Sequence, residues 1–191
     1  DGTRAVLTVA TLNKDKTGYD RALWEVPATG GGTPRRLTRS AKGEQGAAFT
    51  ADGDLLFVSA RPDAEGDGED EAAQLWLLPA NGGDARAITR LAGGVSGIAA
   101  VADAASVAVL AADLLPSADS LEADAKLRAE RKKRKLSAIL HTTYPVRYWD
   151  HDLGPAEPHL LSLDLDALAE TIGSLAASDT AEDEPDATTP Y

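Results

Sequence analysis

Three kinds of residue in this chain could carry chemistry: serine near glycines, histidine beside carboxylates, and a run of cations. A serine nucleophile needs a sharp turn, usually written G-x-S-x-G, that lifts its hydroxyl clear of the backbone. Gly94-Val95-Ser96-Gly97 comes nearest, is one residue short, and reads as a turn between strands. The histidines, His141, His151 and His159, all lie late in the chain, and no spacing ties one of them to a serine and an aspartate as a triad. Asp150-His151-Asp152 offers metal-binding or acid–base groups but matches no strong ligand spacing. Its local reading pairs Arg147 with Asp150 and packs Tyr148 and Trp149 against a neighbouring sheet.

Two further clusters invite a ligand. Asp63-Ala64-Glu65-Gly66-Asp67-Gly68 resembles the opening of a calcium loop. Its twelfth position is Gln74, where a bidentate Glu is needed, and predicted strands flank it, so a solvated hairpin loop fits better. Lys126, Arg128, Arg131, Lys132, Lys133, Arg134 and Lys135 form a basic cluster. Nucleic acid or an acidic peptide is one reading of it; a solvated helix face, or contact with the chain's own carboxylates, is the other. No residue is assigned as catalytic, as cofactor-binding or as a metal ligand, and no cofactor is expected.

Composition narrows the classes. Of 191 residues, 43% are hydrophobic, enough for a packed core, and the net charge of −12 repels phosphate, so neither nucleic acid nor an anionic membrane is an expected partner. There is no cysteine, which excludes disulfides and thiolate metal sites and permits a reducing compartment. No apolar run reaches the roughly 18 residues of a membrane span, and the expected location is the cytoplasm. The chain begins at Asp1 and has no methionine, which reads as a segment of a longer protein.

The elements that must position these residues come from a repeat. Ala22-Leu23-Trp24-Glu25-Val26-Pro27-Ala28-Thr29-Gly30-Gly31-Gly32 returns as Gln74-Leu75-Trp76-Leu77-Leu78-Pro79-Ala80-Asn81-Gly82-Gly83. Arg35-Arg36-Leu37-Thr38 returns as Ala85-Arg86-Ala87-Ile88-Thr89. Asp1-Gly2 recurs 51 residues on as Asp52-Gly53, and Asp103-Ala104 keeps the same step. Short β-branched runs bounded by turns predict strands at 5–10, 21–26, 35–38, 46–49, 55–59, 74–78, 85–89, 97–101 and 106–110. Four short strands per unit of about 50 residues is the pattern of a β-propeller blade. Trp24 and Trp76 share one slot and are expected to pack between blades.

The third copy is interrupted. Ser120 to Leu136 predicts a helix, with Asp119 and Glu122 as its capping box and its charges arranged to suit the helix dipole. Leu160-Leu161-Ser162-Leu163-Asp164 reads as the delayed strand. Residues 166–175 predict a short helix, and the acidic stretch beyond Ala176, without Lys or Arg, predicts a mobile linker. The fold class is therefore all-β: a partial β-propeller of about two blades plus an interrupted third, with one inserted helix. The domain spans 1–165, its insertion about 111–157, and 166–191 follow as helix and linker.

The Asp-Gly turn, apolar strand, Leu-Trp-x-x-Pro-x-x-Gly-Gly and Arg-x-Leu-Thr together resemble the N-terminal propeller of the prolyl oligopeptidase superfamily of serine peptidases. The basic helix with Pro145-Val146-Arg147-Tyr148-Trp149-Asp150-His151 resembles its acylaminoacyl-peptidase and dipeptidyl-peptidase-like branch. The resemblance covers most of residues 1–165. It implies a propeller that caps a C-terminal α/β-hydrolase domain and limits access to short or N-terminally blocked peptides. That domain is absent from this chain, so no catalytic residue is carried over and the chain alone is expected to be inactive. The implied partners are a peptide substrate, the hydrolase domain itself and a second copy in a homo-oligomer. The alternative is a non-catalytic TolB-like propeller acting as a protein-binding scaffold.

Overall fold

A computed structural model describes residues 2–62, 72–102, 106–141, 144–149 and 151–167. The strands in chain order are β1 (Arg4–Leu12), β2 (Tyr19–Pro27), β3 (Arg35–Arg36), β4 (Glu44–Phe49), β5 (Leu55–Ser59), β6 (Gln74–Leu78), β7 (Arg86–Ala87), β8 (Val95–Ala102) and β9 (Val107–Leu114). Helix α1 (Leu121–Lys133) follows, then β10 (Arg147–Tyr148), β11 (His151–Asp152) and β12 (Glu157–Asp164). The protein is all-β, with antiparallel sheets ordered β1-β2-β3, β4-β5-β6-β7 and β12-β9-β8, and a small β10-β11 hairpin.

The sequence period and the sheets are offset by one strand. A repeat running from Asp1 to Thr50 ends with β4, yet β4 pairs with β5 of the next repeat and not with β3. In the same way β8 closes the second repeat and pairs with β9. Each repeat thus lends its last strand to the following sheet. β4 packs against β1 and β2, and β8 against β4 and β5, so the sheets stack in chain order.

Two apolar layers hold the stack. Along β5 the side chains alternate, and both faces are covered, so its run Leu55-Leu56-Phe57-Val58 is apolar throughout. Leu55 and Phe57 join Leu23 and Trp76 between the first and second sheets. Leu56 and Val58 join Leu75, Leu77, Val95, Ala108 and Leu110 between the second and third. Each such Leu, Val or Phe side chain contributes roughly 1.5–3 kcal/mol by leaving water.

The sheets do not close on themselves. On the outer face of the first sheet Leu7 is 51% exposed, and the residue opposite it, Trp24, is only half-buried, while Trp76 is 3% exposed. The expectation that both tryptophans are packed between sheets therefore holds for Trp76 alone; among the described residues no sheet covers Trp24.

Helix α1 starts one residue later than the Asp119 capping box predicts. Ser120 is the cap, its Oγ accepting from the Ala123 N–H at 3.1 Å. The chain leaves the third sheet after Leu114 and rejoins it at Glu157, directly opposite Leu114. At the far end of β12, Asp164 Oδ1 accepts from the Asp166 and Ala167 N–H groups, which begins a helical turn. The rest of the helix expected over 166–175, the linker after it, the calcium-like segment 63–68 and Asp103-Ala104 lie outside the described residues.

Candidate functional site

Because the strands alternate in direction, the connections sort to two ends of the stack. One end holds the tight turns. There Thr50 N donates to Asp54 O and Gly53 N to Thr50 O, with Gly53 at φ +84°, a conformation that glycine adopts without strain. The other end holds the connections from β1 to β2, from β5 to β6 and from β9 to β12, and the last of these is the whole insertion. Every charged feature below sits at this second end.

A hydrogen-bonded node recurs there in both copies. In the first, the Leu23 N–H donates to Thr38 Oγ1 at 2.9 Å, and that hydroxyl donates to Glu44 Oε2 at 2.7 Å. Glu44 Oε1 accepts from the Ser40 N–H at 3.0 Å, and the residue is 1% exposed. In the second, the Leu75 N–H donates to Thr89 Oγ1, and Thr89 donates to Gln74 Oε1, both at 2.9 Å. Gln74 also accepts from the Leu91 N–H and donates to the Leu91 carbonyl. Gln74, the twelfth position of the calcium-like segment, is thus engaged by the sheet.

Glu44 floors a cleft of about 500 Å³ between the first two sheets. Arg21, Arg36, Arg39 and Lys42 line it, against Asp20 and Glu44 as the carboxylates. Arg36 Nε donates to the Thr38 carbonyl at 2.7 Å. Arg21, Arg39 and Lys42 are exposed and have no carboxylate partner among the described residues. Close by, the Arg61 guanidinium lies 4.1 Å from the centre of the Trp76 ring and 5.0 Å from that of Phe57. Burial pulls its pKa below the ordinary arginine value, opposed by the charges of Glu44 and Asp84. Its Nε and Nη2 are buried and have no hydrogen-bond partner among the described residues.

Helix α1 is anchored by polar contacts. Asp124, 3% exposed, accepts from the Leu115 N–H at 2.8 Å and from Arg128 Nε at 2.7 Å. Arg128 Nη2 then donates to the Asp113 carbonyl at 2.7 Å, tying the helix to the end of β9. Gly93 leaves room for this clamp, since a Cβ there would collide with Asp113 O and Arg128. In the basic cluster, Arg131 also donates to the Ala138 carbonyl and Arg134 pairs with Glu130 at 3.1 Å. A groove of about 480 Å³ runs between the helix and Leu136, Ile139 and Leu140.

The remaining sequence candidates separate. Ser96 lies exposed at the irregular start of β8 rather than in a free turn. His159 is on β12, with β9 between them, and no hydrogen bond joins the two. His141 is exposed in the insertion. Tyr148 and Trp149 do not pack against a sheet: they are 58% and 97% exposed, and Tyr144 is 91% exposed. The residues around Trp149 form a two-residue hairpin that turns its ring outward, with Trp149 at φ +55°. Asp150, and with it the pairing expected with Arg147, lies outside the described residues. Among the described residues no three His, Asp or Glu side chains stand together as a metal site, and no helix is long and apolar enough to cross a membrane.

Sequence reasoning missed the cleft. Its cations are spread from residue 21 to 42 over β2, β3 and the turn into β4, and only the fold brings them together. The signal that was present is Thr38 followed by Glu44, against Thr89 followed by Val95 at the same spacing, a departure between otherwise similar copies.

These features define a class: an all-β protein of successive antiparallel sheets that exchange strands, with a polar-anchored helical insertion at one end. No family model matches the chain. Over 98 residues, half of this chain, it is 37% identical to a Bacillus subtilis (strain 168) protein named "Uncharacterized peptidase YuxL". The match spans 14% of that protein's length. The chain is thus related, at modest identity and over part of its length, to a protein named as a peptidase.

Proposed function

We propose that this chain is a propeller segment of a serine peptidase of the prolyl oligopeptidase superfamily, in which stacked sheets gate the access of short or N-terminally blocked peptides to a hydrolase domain outside it. The observation that carries the reading is the coincidence of a sheet-forming repeat of about 50 residues with similarity to a protein named as a peptidase. The strand offset fits it as well, since each repeat lends its last strand to the next sheet and so ties neighbouring sheets together. The insertion marks one end of that stack, and in this reading it faces the hydrolase domain.

Reading the gene downstream of Tyr191 tests the proposal. A G-x-S-x-G elbow between a strand and a helix, followed in order by an aspartate and a histidine, is the expected result. A reading frame that ends without such an elbow overturns it.

A further inference from the structure

The cleft between the first two sheets carries a charge opposite to that of the chain. The protein has a net charge of −12, yet four cations and two carboxylates line this cleft. Of the two carboxylates, Glu44 is buried, and its oxygens accept from Thr38 and Ser40. Arg21, Arg39 and Lys42 point charge into a space of about 500 Å³ with no acid paired to them among the described residues. That volume falls within the range of small-ligand pockets. Tyr19 and Ala60 add apolar wall beside the cations.

We propose that this cleft binds the carboxylate of a peptide. An arginine fork matches a carboxylate in plane and forms two parallel hydrogen bonds to it. The apolar wall takes the aliphatic body next to that carboxylate. The negative field of the remaining chain repels polyanions, so the cleft selects a small anion over nucleic acid. Glu44 keeps the floor fixed, because its bonds to Thr38 and Ser40 hold the turn that carries Arg39 and Lys42. That the carboxylate belongs to a peptide rests on the peptidase reading, but the test reads binding without turnover, so the two readings fail separately.

Calorimetry on the full 191-residue chain tests it. The probes are Ala-Leu-Ala with a free C-terminus, its C-terminal amide, amidated Ala-Leu-Glu, and inorganic phosphate. Binding of the free acid, of the glutamate peptide or of both supports the proposal, and the pattern says whether a chain end or an acidic side chain is read. The Ala-Leu-Ala amide binds at least tenfold more weakly, and added salt weakens the carboxylate peptides. Arg21→Gln and Arg39→Gln each reduce affinity about tenfold, whereas Lys126→Gln on the insertion helix does not. Both arginines are exposed, so the variants keep the parent's circular dichroism. Measurable binding of the Ala-Leu-Ala amide as tight as that of the carboxylate peptides, tighter binding of phosphate, indifference to both arginine changes, or no binding of any peptide overturns the proposal. So does binding that emerges only after Asp63, Glu65, Asp67, Glu69, Asp70 and Glu71 are all changed to amides, since the cleft's ligand would then be the chain itself.

Discussion

The two repeat copies solve one problem with different chemistry. Each must satisfy a backbone N–H and a threonine hydroxyl at the base of a turn. In the first copy the acceptor is Glu44, which comes from β4 in the next sheet and bridges two sheets. In the second it is Gln74, from β6 in the same sheet. The positions exchange in concert: where the second copy has Gln74 the first has Ala22, and where the first has Glu44 the second has Val95. Ala22 and Val95 are both buried. The first sheet-to-sheet junction is therefore tied by a buried carboxylate under a cationic cleft, and the second by apolar packing through Val95. A repeat preserves its hydrogen-bond requirement more faithfully than the residue that meets it.

The largest effect that would sharpen this comparison concerns the paired tryptophans. Trp76→Ala is expected to cost about 4 kcal/mol, because it opens a cavity in a closed layer, and Trp24→Ala about 2 kcal/mol, because that ring is only partly buried. Urea unfolding of both variants checks the difference, and equal losses would mean that the outer face of the first sheet is covered. Next comes the node. Glu44→Ala leaves Thr38 and the Ser40 N–H without their acceptor and should cost about 3 kcal/mol, while Glu44→Gln keeps one acceptor oxygen and should cost about 1 kcal/mol. Gln74→Ala, the counterpart in the second copy, removes neutral bonds only and should cost about 2 kcal/mol. A Glu44→Ala loss no greater than that of Gln74→Ala would erase the distinction drawn between the junctions.

A smaller and more local loss is expected in the insertion. Asp124→Ala breaks the clamp to Leu115 and Arg128 and should release α1 from β9 at a cost of about 2 kcal/mol, given that Arg128 stays partly in water and can rehydrate. Hydrogen exchange should then quicken across 121–133 and remain unchanged in β5 and β6. Faster exchange throughout the sheets would instead make the helix part of the core.

Much of the fold was legible because the sequence repeats. Turn glycines and β-branched runs located the strands to within a few residues, and the interruption after β9 with its helix was visible as a change of period. The sheet to which β4 and β8 belong was not legible, because strand pairing is decided by contacts across repeats and a local pattern carries no information about them. Nor did the sequence single out Ser120 over Asp119 as the helix cap, since both are good capping residues. Trp149 misled because a large aromatic ordinarily implies burial. The cleft was hidden for a physical reason as well: its cations come from three successive segments and are not a run. Lys126 to Lys135, which are a run, are in part taken up by contacts to Asp124, Glu130 and main-chain carbonyls.

The central claim is that the sheets serve a peptidase whose catalytic serine lies in a domain outside this chain. Its most direct test compares the product of the complete reading frame with the 191-residue chain on fluorogenic N-acyl-amino-acid and dipeptide substrates. The account predicts turnover by the complete protein, abolished by a serine-directed phosphonate, and none by the chain alone. Turnover by the chain alone, or a complete protein that hydrolyses none of these substrates, would contradict it.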